Sequence, residues 1–110
     1  MQYMVYDRFK DPKHIKWAKA VKSRDNYSCV ICGKNNVYLH SHHLNSWDKF
    51  PEQRFLVENG VTLCADDHKL FHLENGLGNN TRHQFQEHCE MLKLLKAMAK
   101  EKILIKKIES

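Results

Sequence analysis

The stretch Val37-Tyr38-Leu39-His40-Ser41-His42-His43-Leu44 decides how this chain folds. Its β-branched and aromatic side chains predict a β-strand, and Val61-Thr62-Leu63 predicts a second, shorter one. Residues 46–59 lie between the two and include Pro51 and several polar side chains, which predicts a long loop. Loops of that length in compact domains usually carry function, so we expect this one to contribute to a functional site.

Helices are predicted before and after the two strands. Asp11-Pro12 is typical of an N-cap followed by a first-turn proline, and it begins a short amphipathic helix. Asp66 or Asp67 is expected to cap a turn of helix that follows the second strand. The apolar stripe of the first helix consists of Ile15, Trp17, Ala18 and Val21.

The longest helix is predicted at the end of the chain. Thr81 and Gln84 have the spacing of a capping box, which marks its first turn. The apolar tail around Lys102-Ile-Leu-Ile-Lys106 is expected to pack on the core or on a second subunit. The side chains at core spacing are Phe85, His88 or Cys89, Leu92, Leu95 and Ala99.

Charge and histidine content point to a polyanion and a cation. The chain has 110 residues, of which 18 are Lys or Arg and 13 are Asp or Glu, so its net charge is +5 at pH 7. That length suits one small domain, and the basic balance favours nucleic acid as a partner. The charge is +5 over residues 1–39, −3 over residues 40–80 and +3 over residues 81–110. Five of the eight histidines fall in the acidic centre, which indicates a cation site between two basic arms.

The sequence disfavours insertion into a membrane and secretion. No apolar run approaches the ~18 residues that a membrane-spanning helix needs, and residues 1–10 lack the apolar centre of a signal peptide. We therefore expect the protein in the cytoplasm. In a reducing compartment, closely spaced cysteines are more often metal ligands than disulfides.

A thiol site is predicted from the cysteines. Cys29-Val-Ile-Cys32-Gly33 has the spacing of a tight knuckle that directs two thiolates to one metal. Cys64 supplies a third thiol, and Asp67 stands where a second Cys-x-x-Cys would be completed. A redox site would use the same spacing within a βαβ unit, which this sequence lacks. We therefore expect a structural zinc held by Cys29, Cys32, Cys64 and Asp67; the alternative is three buried thiols that pack as small apolar groups without metal.

A second site is predicted from the histidines. His42 and His43 are neighbours in the first strand, so their side chains point to opposite faces. His68 and His72 are four residues apart on one helix face, where His68 comes near His42. Two neutral imidazoles with water leave an open site that accepts a phosphate oxygen. His43 is then placed to act as a base, and the ordinary imidazole pKa of about 6.5 predicts that activity falls below about pH 6.

Basic side chains flank the acidic centre and are candidates for binding DNA phosphates. They are Lys19, Lys22 and Arg24 before it and Lys93 and Lys96 after it. A lysine-rich helix face is as often only solvated, and a steep loss of binding with added salt would distinguish the two cases.

These motifs resemble those of the HNH endonucleases. The resemblance is carried by Cys29-x2-Cys32, Ser41-His42-His43-Leu44, Glu58-Asn59-Gly60-Val61-Thr62-Leu63-Cys64 and Asp67-His68-x3-His72. It extends over about residues 17–87, and residues 68–85 are similar to the small phage-encoded, homing-type members. The resemblance implies an α+β fold with a small ββα-metal core and flanking helices. The departure is at Asp67, where a cysteine is commoner, and it bears on the zinc site rather than on catalysis.

The resemblance also implies a role for each residue of the histidine site. His42 and His68 would bind the catalytic cation, and His43 would be the general base. Asn59 would be the loop residue that holds the base in orientation. His72 would add a ligand or contact the scissile phosphate. The expected products carry a 5′-phosphate and a 3′-hydroxyl.

The expected function is metal-dependent hydrolysis of DNA phosphodiester bonds, by nicking or double-strand cleavage, in homing or in packaging with a terminase as partner. Mg²⁺ or Mn²⁺ is the expected catalytic cation and Zn²⁺ the structural one, and other divalent transition metals are expected to bind imidazole too. One nuclease domain is expected over residues 1–110, with a core at about 17–87 and a basic helical extension at about 81–110; monomer and homodimer both stay open. The alternative is a zinc knuckle that binds nucleic acid without cutting it.

Overall fold

The computed structural model describes residues 6–109 and contains a small antiparallel sheet and three α-helices. In chain order the elements are α1 (Pro12–Arg24), β1 (Leu39–His43), β2 (Gly60–Cys64), α2 (Ala65–Asn75) and α3 (Arg82–Glu109), with 3-10 helices at Arg8–Lys10, Pro51–Gln53 and Val57–Asn59. The predicted α+β class with a ββα core and flanking helices is confirmed. Residues 1–5 and 110 lie outside the described part, and with them both ends of the predicted domain and half of the stretch examined for a signal peptide.

The two strands form one sheet that lies between two helices, with α1 on one face and α2 on the other. β1 pairs with β2 in the register Leu39 to Cys64 and His43 to Gly60. On one face, the Ser41 hydroxyl donates to a backbone carbonyl of α1 at 2.8 Å. On the other face, the His40 ring stacks on His68 of α2 with 4.6 Å between centroids. Neighbouring residues of β1 therefore serve opposite faces, as the period of a strand requires.

The first helix begins as predicted but buries a different stripe. The Asp11 carboxylate accepts from the Lys13 backbone N–H at 2.9 Å, which confirms the N-cap. Trp17 and Val21 are buried, whereas Ile15 is 41% exposed and His14 takes its place against the fold. The stripe prediction was wrong at Ile15 because α1 turns its aromatic side, rather than its most apolar side, toward the loop after β1.

Gly60 allows α1 to approach β2 closely. A Cβ atom at this position would lie 2.5 Å from Val21 Cγ2 and 2.6 Å from the Trp17 ring. Any side chain here would therefore push the helix off the strand.

The second helix begins with an unexpected cap. Its N-cap is Cys64, whose sulfur accepts from the Asp67 backbone N–H at 3.5 Å, so the prediction of Asp66 or Asp67 as cap was wrong. The two carboxylates lie in the first turn instead, where they favour the positive end of the helix dipole. The core beneath α2 and α3 contains Cys29, Leu39, Leu44, Leu63, Cys64, Phe71 and Phe85.

The third helix runs well past the core. Thr81 and Gln84 form the predicted capping box, with reciprocal bonds of 3.0 and 3.2 Å. Phe85 and His88 are buried, and Cys89 packs against the core. Leu95 is 52% exposed, and every described residue after it is also exposed. The described part of the tail therefore does not pack on the core, and packing on a second subunit stays a prediction. The molecule is elongated, with principal dimensions of 73, 26 and 24 Å. Among the described residues, no helix is long and apolar enough to cross a membrane.

Candidate metal centres and catalytic cavity

The cysteine knuckle is built by backbone hydrogen bonds. Gly33 has φ +79°, a conformation that suits glycine, and its N–H donates to the Cys29 carbonyl at 2.9 Å. The Cys29 N–H donates to the Lys34 carbonyl at 2.9 Å, which closes the turn from the other side. The Val30 N–H donates to the Thr62 carbonyl of β2 at 3.0 Å, so the knuckle is fixed against the strand that ends in Cys64.

The structure brings the four predicted zinc ligands together. One donor atom from each of Cys29, Cys32, Cys64 and Asp67 lies within 4.8 Å of all the others. Two thiolates on a tetrahedral zinc with Zn–S distances of about 2.3 Å lie about 3.8 Å apart. The sulfurs of Cys32 and Cys64 are 3.7 Å apart, so this edge already fits the metal. We call these four residues the thiol cluster.

Hydrogen bonds to Asp67 connect the thiol cluster. The thiols of Cys29 and Cys64 donate to Asp67 Oδ2 at 3.1 and 3.2 Å. Desolvation raises the pKa of Cys32 to about 12 and also raises the pKa of Cys64. Burial opposes ionisation of Asp67, but hydrogen bonds from the thiols outweigh it and lower the pKa of the carboxyl group. The raised pKa values favour protonated thiols at Cys32 and Cys64 at neutral pH, so a cation that binds there displaces their protons.

A second cluster consists of three imidazoles. His42, from β1, meets His68 and His72, from α2, and one nitrogen of each lies within 4.8 Å of the other two. The Nε2 atoms of His68 and His72 are 3.0 Å apart. That separation is close to the distance of about 3.0 Å between neighbouring ligands at right angles on a metal with M–N distances of about 2.1 Å. We call these three residues the histidine cluster.

The histidine cluster has nitrogen lone pairs available for a cation. His72 Nδ1 donates to the Gly76 carbonyl at 2.8 Å, which leaves the lone pair of a neutral His72 ring on Nε2, where it accepts from His68 Nε2 at 3.0 Å. A cation bound between the two rings would replace this hydrogen bond. A hydrogen bond from the far ring nitrogen to a carbonyl, like that of His72 Nδ1, is usual for metal-binding histidines. His42 Nε2 is buried and has no hydrogen-bond partner. A buried nitrogen without a partner is costly, and a bound cation would satisfy it.

Burial lowers the pKa of two imidazoles of the histidine cluster. Desolvation, helped by the neighbouring imidazoles, lowers the pKa of His42 to about 3 and that of His68 to about 4. Both rings are therefore unprotonated at neutral pH, the state that binds metal.

His43 lies on the opposite face of β1, as predicted, and its ring is fixed on two sides. The ring stacks on Trp17 at 3.8 Å between centroids and 10° between planes. Its Nε2 donates to the Arg54 carbonyl at 2.9 Å, which leaves the lone pair of the neutral ring on Nδ1. Desolvation lowers the pKa of His43 to about 4, although the bond to Arg54 works against it. The ring is thus an oriented, unprotonated imidazole at neutral pH.

Asn59 organises the loop rather than touching the His43 ring. Its Oδ1 accepts from the Asn45 N–H at 2.9 Å, and its Nδ2 donates to the carbonyls of Asn45 and Gln53 at 3.0 and 3.2 Å. Asn59 is only 1% exposed, so these bonds lie in the interior of the loop. The group that bonds to His43 is the Arg54 carbonyl, one residue after Gln53. Asn59 therefore reaches the base through the loop that carries this carbonyl.

One cavity of about 240 Å³ gathers the histidines from both faces of β1. Its polar lining includes His40, His42, His43, His68, His72, Ser46, Asp48, Asn79 and Asn80. The three imidazoles of the histidine cluster and the His43 ring, which can accept a proton, thus open into the same space. This arrangement suits hydrolysis of a bond whose oxygens the cation polarises.

Comparison with known proteins agrees with this geometry. Residues 29–74 match the family model described as HNH endonuclease. Anaredoxin from Nostoc sp. (strain PCC 7120) is 30% identical over 60 residues, which span 54% of this chain and 76% of anaredoxin. Residues 29–74 are an HNH endonuclease domain. No solved structure matches the chain significantly.

Both ligand clusters belong to the stretch matched by the HNH family, and the basic arms lie outside it. Lys19, Lys93 and Lys96 are exposed, and Lys22 is half-buried. Arg24 is engaged within the fold: it pairs with Asp25 at 2.8 Å and donates to the Val57 and Gly60 carbonyls at 2.9 and 2.7 Å. Its guanidinium ties α1 to the start of β2.

Several neighbours of the HNH histidines were missed by the sequence reasoning. His40 stacks on His68 and opens into the cavity, and buried His14 lies 5.8 Å from His43 between ring centroids. Trp17 was assigned only to the apolar stripe, although it also stacks on His43. The alternation of β1 could have placed His40 on the face of His42, but nothing in the sequence indicates the contacts of α1 with the base.

Proposed function

We propose that this HNH protein is a divalent-metal-dependent nuclease that hydrolyses phosphodiester bonds in DNA. The observation that carries the proposal is the pairing, in one cavity, of three imidazoles that could hold a cation with a neutral, oriented His43. A nucleic-acid-binding knuckle that does not cut needs neither feature. The HNH endonuclease domain supports nuclease chemistry and DNA as the substrate.

His43 is the general base of the proposed reaction. Its Nδ1 lone pair accepts a proton from the attacking water while Arg54 holds the other ring nitrogen. Asn59 fixes the loop that carries the Arg54 carbonyl. The histidine cluster would hold a divalent cation, which would neutralise charge on the phosphate and stabilise the leaving oxygen. The resemblance implies products with a 5′-phosphate and a 3′-hydroxyl.

His42, His68 and His72 would hold this cation. Imidazole prefers transition metals, whereas Mg²⁺ prefers oxygen ligands and retains water. With a third imidazole beside the expected two, Mn²⁺ and other divalent transition metals become better candidates than Mg²⁺. The thiol cluster would hold zinc, whose distances its Cys32 to Cys64 edge already matches.

The biological setting of the proposal rests on the resemblance alone. In this proposal the protein is a phage-encoded enzyme that acts in the cytoplasm of a bacterial host, either in homing or in DNA packaging beside a terminase. Lys19, Lys22, Lys93 and Lys96 are proposed to bind phosphates along the DNA. Arg24 is not part of this proposal because its guanidinium already donates to the Val57 and Gly60 carbonyls. The genes that flank this one distinguish homing from packaging.

A plasmid nicking assay tests the proposal. Wild-type protein is incubated with supercoiled DNA in Mn²⁺, Ni²⁺, Mg²⁺ or excess EDTA, beside His43→Ala and the control His83→Ala. His83 is an exposed α3 residue that pairs only with Glu87 in the described structure. We expect cleavage with a divalent cation, none in EDTA, and about a 10²- to 10⁴-fold loss in His43→Ala alone. DNA binding without cleavage under every condition would instead support the non-catalytic zinc knuckle.

A further inference from the structure

An aromatic and basic surface lies beside the histidine cavity and has no role in the hydrolysis proposed above. It consists of Arg8 and Phe9, in the 3-10 helix before α1, and Trp47, in the loop after β1; we call it the Trp47 shelf. All three residues line the histidine cavity, and the same three line a neighbouring cavity of about 480 Å³ together with Tyr6. The shelf is therefore continuous with the place where the scissile phosphate would bind.

Aromatic side chains at the shelf are largely exposed to solvent. Phe9 is 65% exposed and Tyr6 is 63% exposed, although both have apolar rings that burial would favour. The Tyr6 and Trp47 rings are close to parallel, with 20° between planes and 6.3 Å between centroids. Trp47 itself is held from behind, since Phe55 packs edge-on against it at 5.6 Å. The fold thus supports one indole firmly and leaves its aromatic neighbours uncovered.

Positive charge accompanies the rings. The Arg8 guanidinium lies 4.9 Å from the Phe9 centroid and 5.1 Å from the Trp47 centroid, and Arg54 lies 4.6 Å from Trp47. Arg54 Nε also donates to the Trp47 carbonyl at 2.7 Å, which fixes both residues. Two acidic residues, Asp7 and Asp48, also line the cavity of about 480 Å³. The Asp7 carboxylate caps the 3-10 helix by accepting from the Phe9 N–H. Arginine beside aromatic rings is the combination that binds unpaired nucleotides, with the rings taking bases and the cation taking a phosphate.

We propose that the Trp47 shelf binds an unpaired nucleobase of the substrate strand, next to the scissile phosphate. This inference rests on the proposed nuclease function and deepens it, because it names single-stranded or locally unpaired DNA as the preferred substrate. A base within a duplex is already stacked and paired, and it would have to give up both interactions and leave the helix to reach an exposed ring. A single strand offers its bases without that cost.

A fluorescence titration tests the shelf without cleavage. The chain has two tryptophans, and Trp17 is only 2% exposed, so a base that stacks on the shelf quenches mainly Trp47. Oligothymidylate is added in EDTA to wild type, Phe9→Leu and Lys10→Ala; the last removes a charge from the same 3-10 helix without touching the shelf in the described structure. We expect quenching in wild type and Lys10→Ala, and an oligonucleotide Kd about 5- to 150-fold higher in Phe9→Leu. Equal Kd values in all three proteins overturn the proposal.

A cleavage comparison then tests the preference. One sequence is supplied as single strand and as duplex, each at a concentration well below saturation. We expect wild type to cut the single strand faster, Phe9→Leu to lose most of that ratio, and Phe9→Trp to restore it. A wild type that cuts both forms equally overturns the shelf while the nuclease function stands. A wild type that cuts neither contradicts the nuclease function, and the fluorescence titration alone then decides whether the shelf binds a base.

Discussion

The two ligand clusters lie along one short strand pair and differ in almost every respect. Cys64 belongs to the thiol cluster and pairs with Leu39, whereas Val61 and Gly60 pair with His42 and His43 at the other end. The thiol cluster has four donors, two of them from a knuckle bonded to β2, and forms a closed set for one tetrahedral ion. The histidine cluster has three donors and opens into the cavity of about 240 Å³. A complete ligand set suits a structural ion, and an incomplete one suits a catalytic ion.

Proton affinity separates the clusters as clearly as geometry does. Desolvation raises the thiol pKa values of Cys32 and Cys64, because it penalises a negative thiolate. The same effect lowers the pKa values of His42 and His68, because it penalises a positive imidazolium. At neutral pH Cys32 and Cys64 must therefore release protons to bind a metal, whereas His42 and His68 are already unprotonated. Burial thus makes a metal compete with protons at these two thiols but not at these two imidazoles.

The largest expected effect is on the thiol cluster. Cys64→Ser removes a thiolate donor from the thiol cluster but keeps an N-cap for α2, because a serine hydroxyl also accepts from the backbone N–H there. The apparent binding free energy of a structural zinc is about 10–16 kcal/mol, as large as the whole stability of an ordinary domain. We expect this variant to lose its cooperative thermal transition, as measured by far-UV circular dichroism with zinc present.

The matched control for that variant is Cys89→Ser. Cys89 also packs against the core but lies outside the thiol cluster, so its replacement should lower stability by about 1 kcal/mol and leave the zinc content unchanged. Two results would contradict this prediction: a Cys64→Ser protein with the wild-type melting transition, or a wild-type protein that contains no zinc. The thiols would then be small apolar groups without a metal, and the contrast between the two clusters would disappear.

The next largest effect is expected at the histidine cluster, on activity rather than folding. His68→Ala should keep the wild-type thermal transition but require at least about 100-fold more Mn²⁺ for half-maximal cleavage, because a direct ligand is lost. The control is Lys69→Ala, an exposed neighbour on α2 that belongs to neither cluster. Half-maximal cleavage at the same Mn²⁺ concentration in all three proteins would exclude His68 from the ligand set.

The pH dependence of cleavage gives a smaller but more specific effect. The sequence alone predicted a decline below about pH 6, but burial lowers the pKa of His43 to about 4. Between pH 7 and pH 5 a free imidazole would lose about 25-fold of its unprotonated form, whereas His43 should lose almost none. Single-turnover cleavage should therefore stay nearly constant to pH 5 and fall toward pH 4. A fall of more than tenfold by pH 5 in protein that is still folded would contradict the buried, neutral base.

Stability changes in the same acid range and has to be measured beside activity. His42, His43 and His68 bind protons less readily in the folded state than in the unfolded chain, where the imidazole pKa is about 6.5. The unfolded chain therefore takes up more protons between pH 6.5 and about pH 4, and the free energy of unfolding falls as the pH falls through that window. Circular dichroism at each pH separates this loss from protonation of the base.

The two clusters could be predicted from the sequence because most of their ligands belong to short motifs with a recognisable spacing. The Cys-x-x-Cys knuckle, the His42-His43 pair and the four-residue step from His68 to His72 each depend on one turn, strand or helix. What surrounds them could not be predicted, because those contacts join distant segments. The Arg54 carbonyl reaches His43, and Phe9 comes beside Trp47, only after the loop and the N-terminal segment have folded back. The bonds of Arg24 within the fold could not be predicted for the same reason, since besides Asp25 its partners are the carbonyls of Val57 and Gly60, more than thirty residues away.

The smallest effect comes from making the thiol cluster more like the commoner pattern. Asp67→Cys replaces a hard oxygen donor by a thiolate, which zinc prefers, so we expect its affinity for zinc to rise on the order of tenfold. The pKa of Asp67 is lowered, so this carboxyl group has no proton to release at pH 7, whereas a cysteine there must lose one. Calorimetry in two buffers of different ionisation enthalpy should therefore detect one additional proton released per zinc. Cleavage should be unchanged, because Asp67 lies outside the histidine cavity. An equal proton count in the two proteins would mean that residue 67 is not a ligand, and the thiol cluster would then be as open as the histidine cluster.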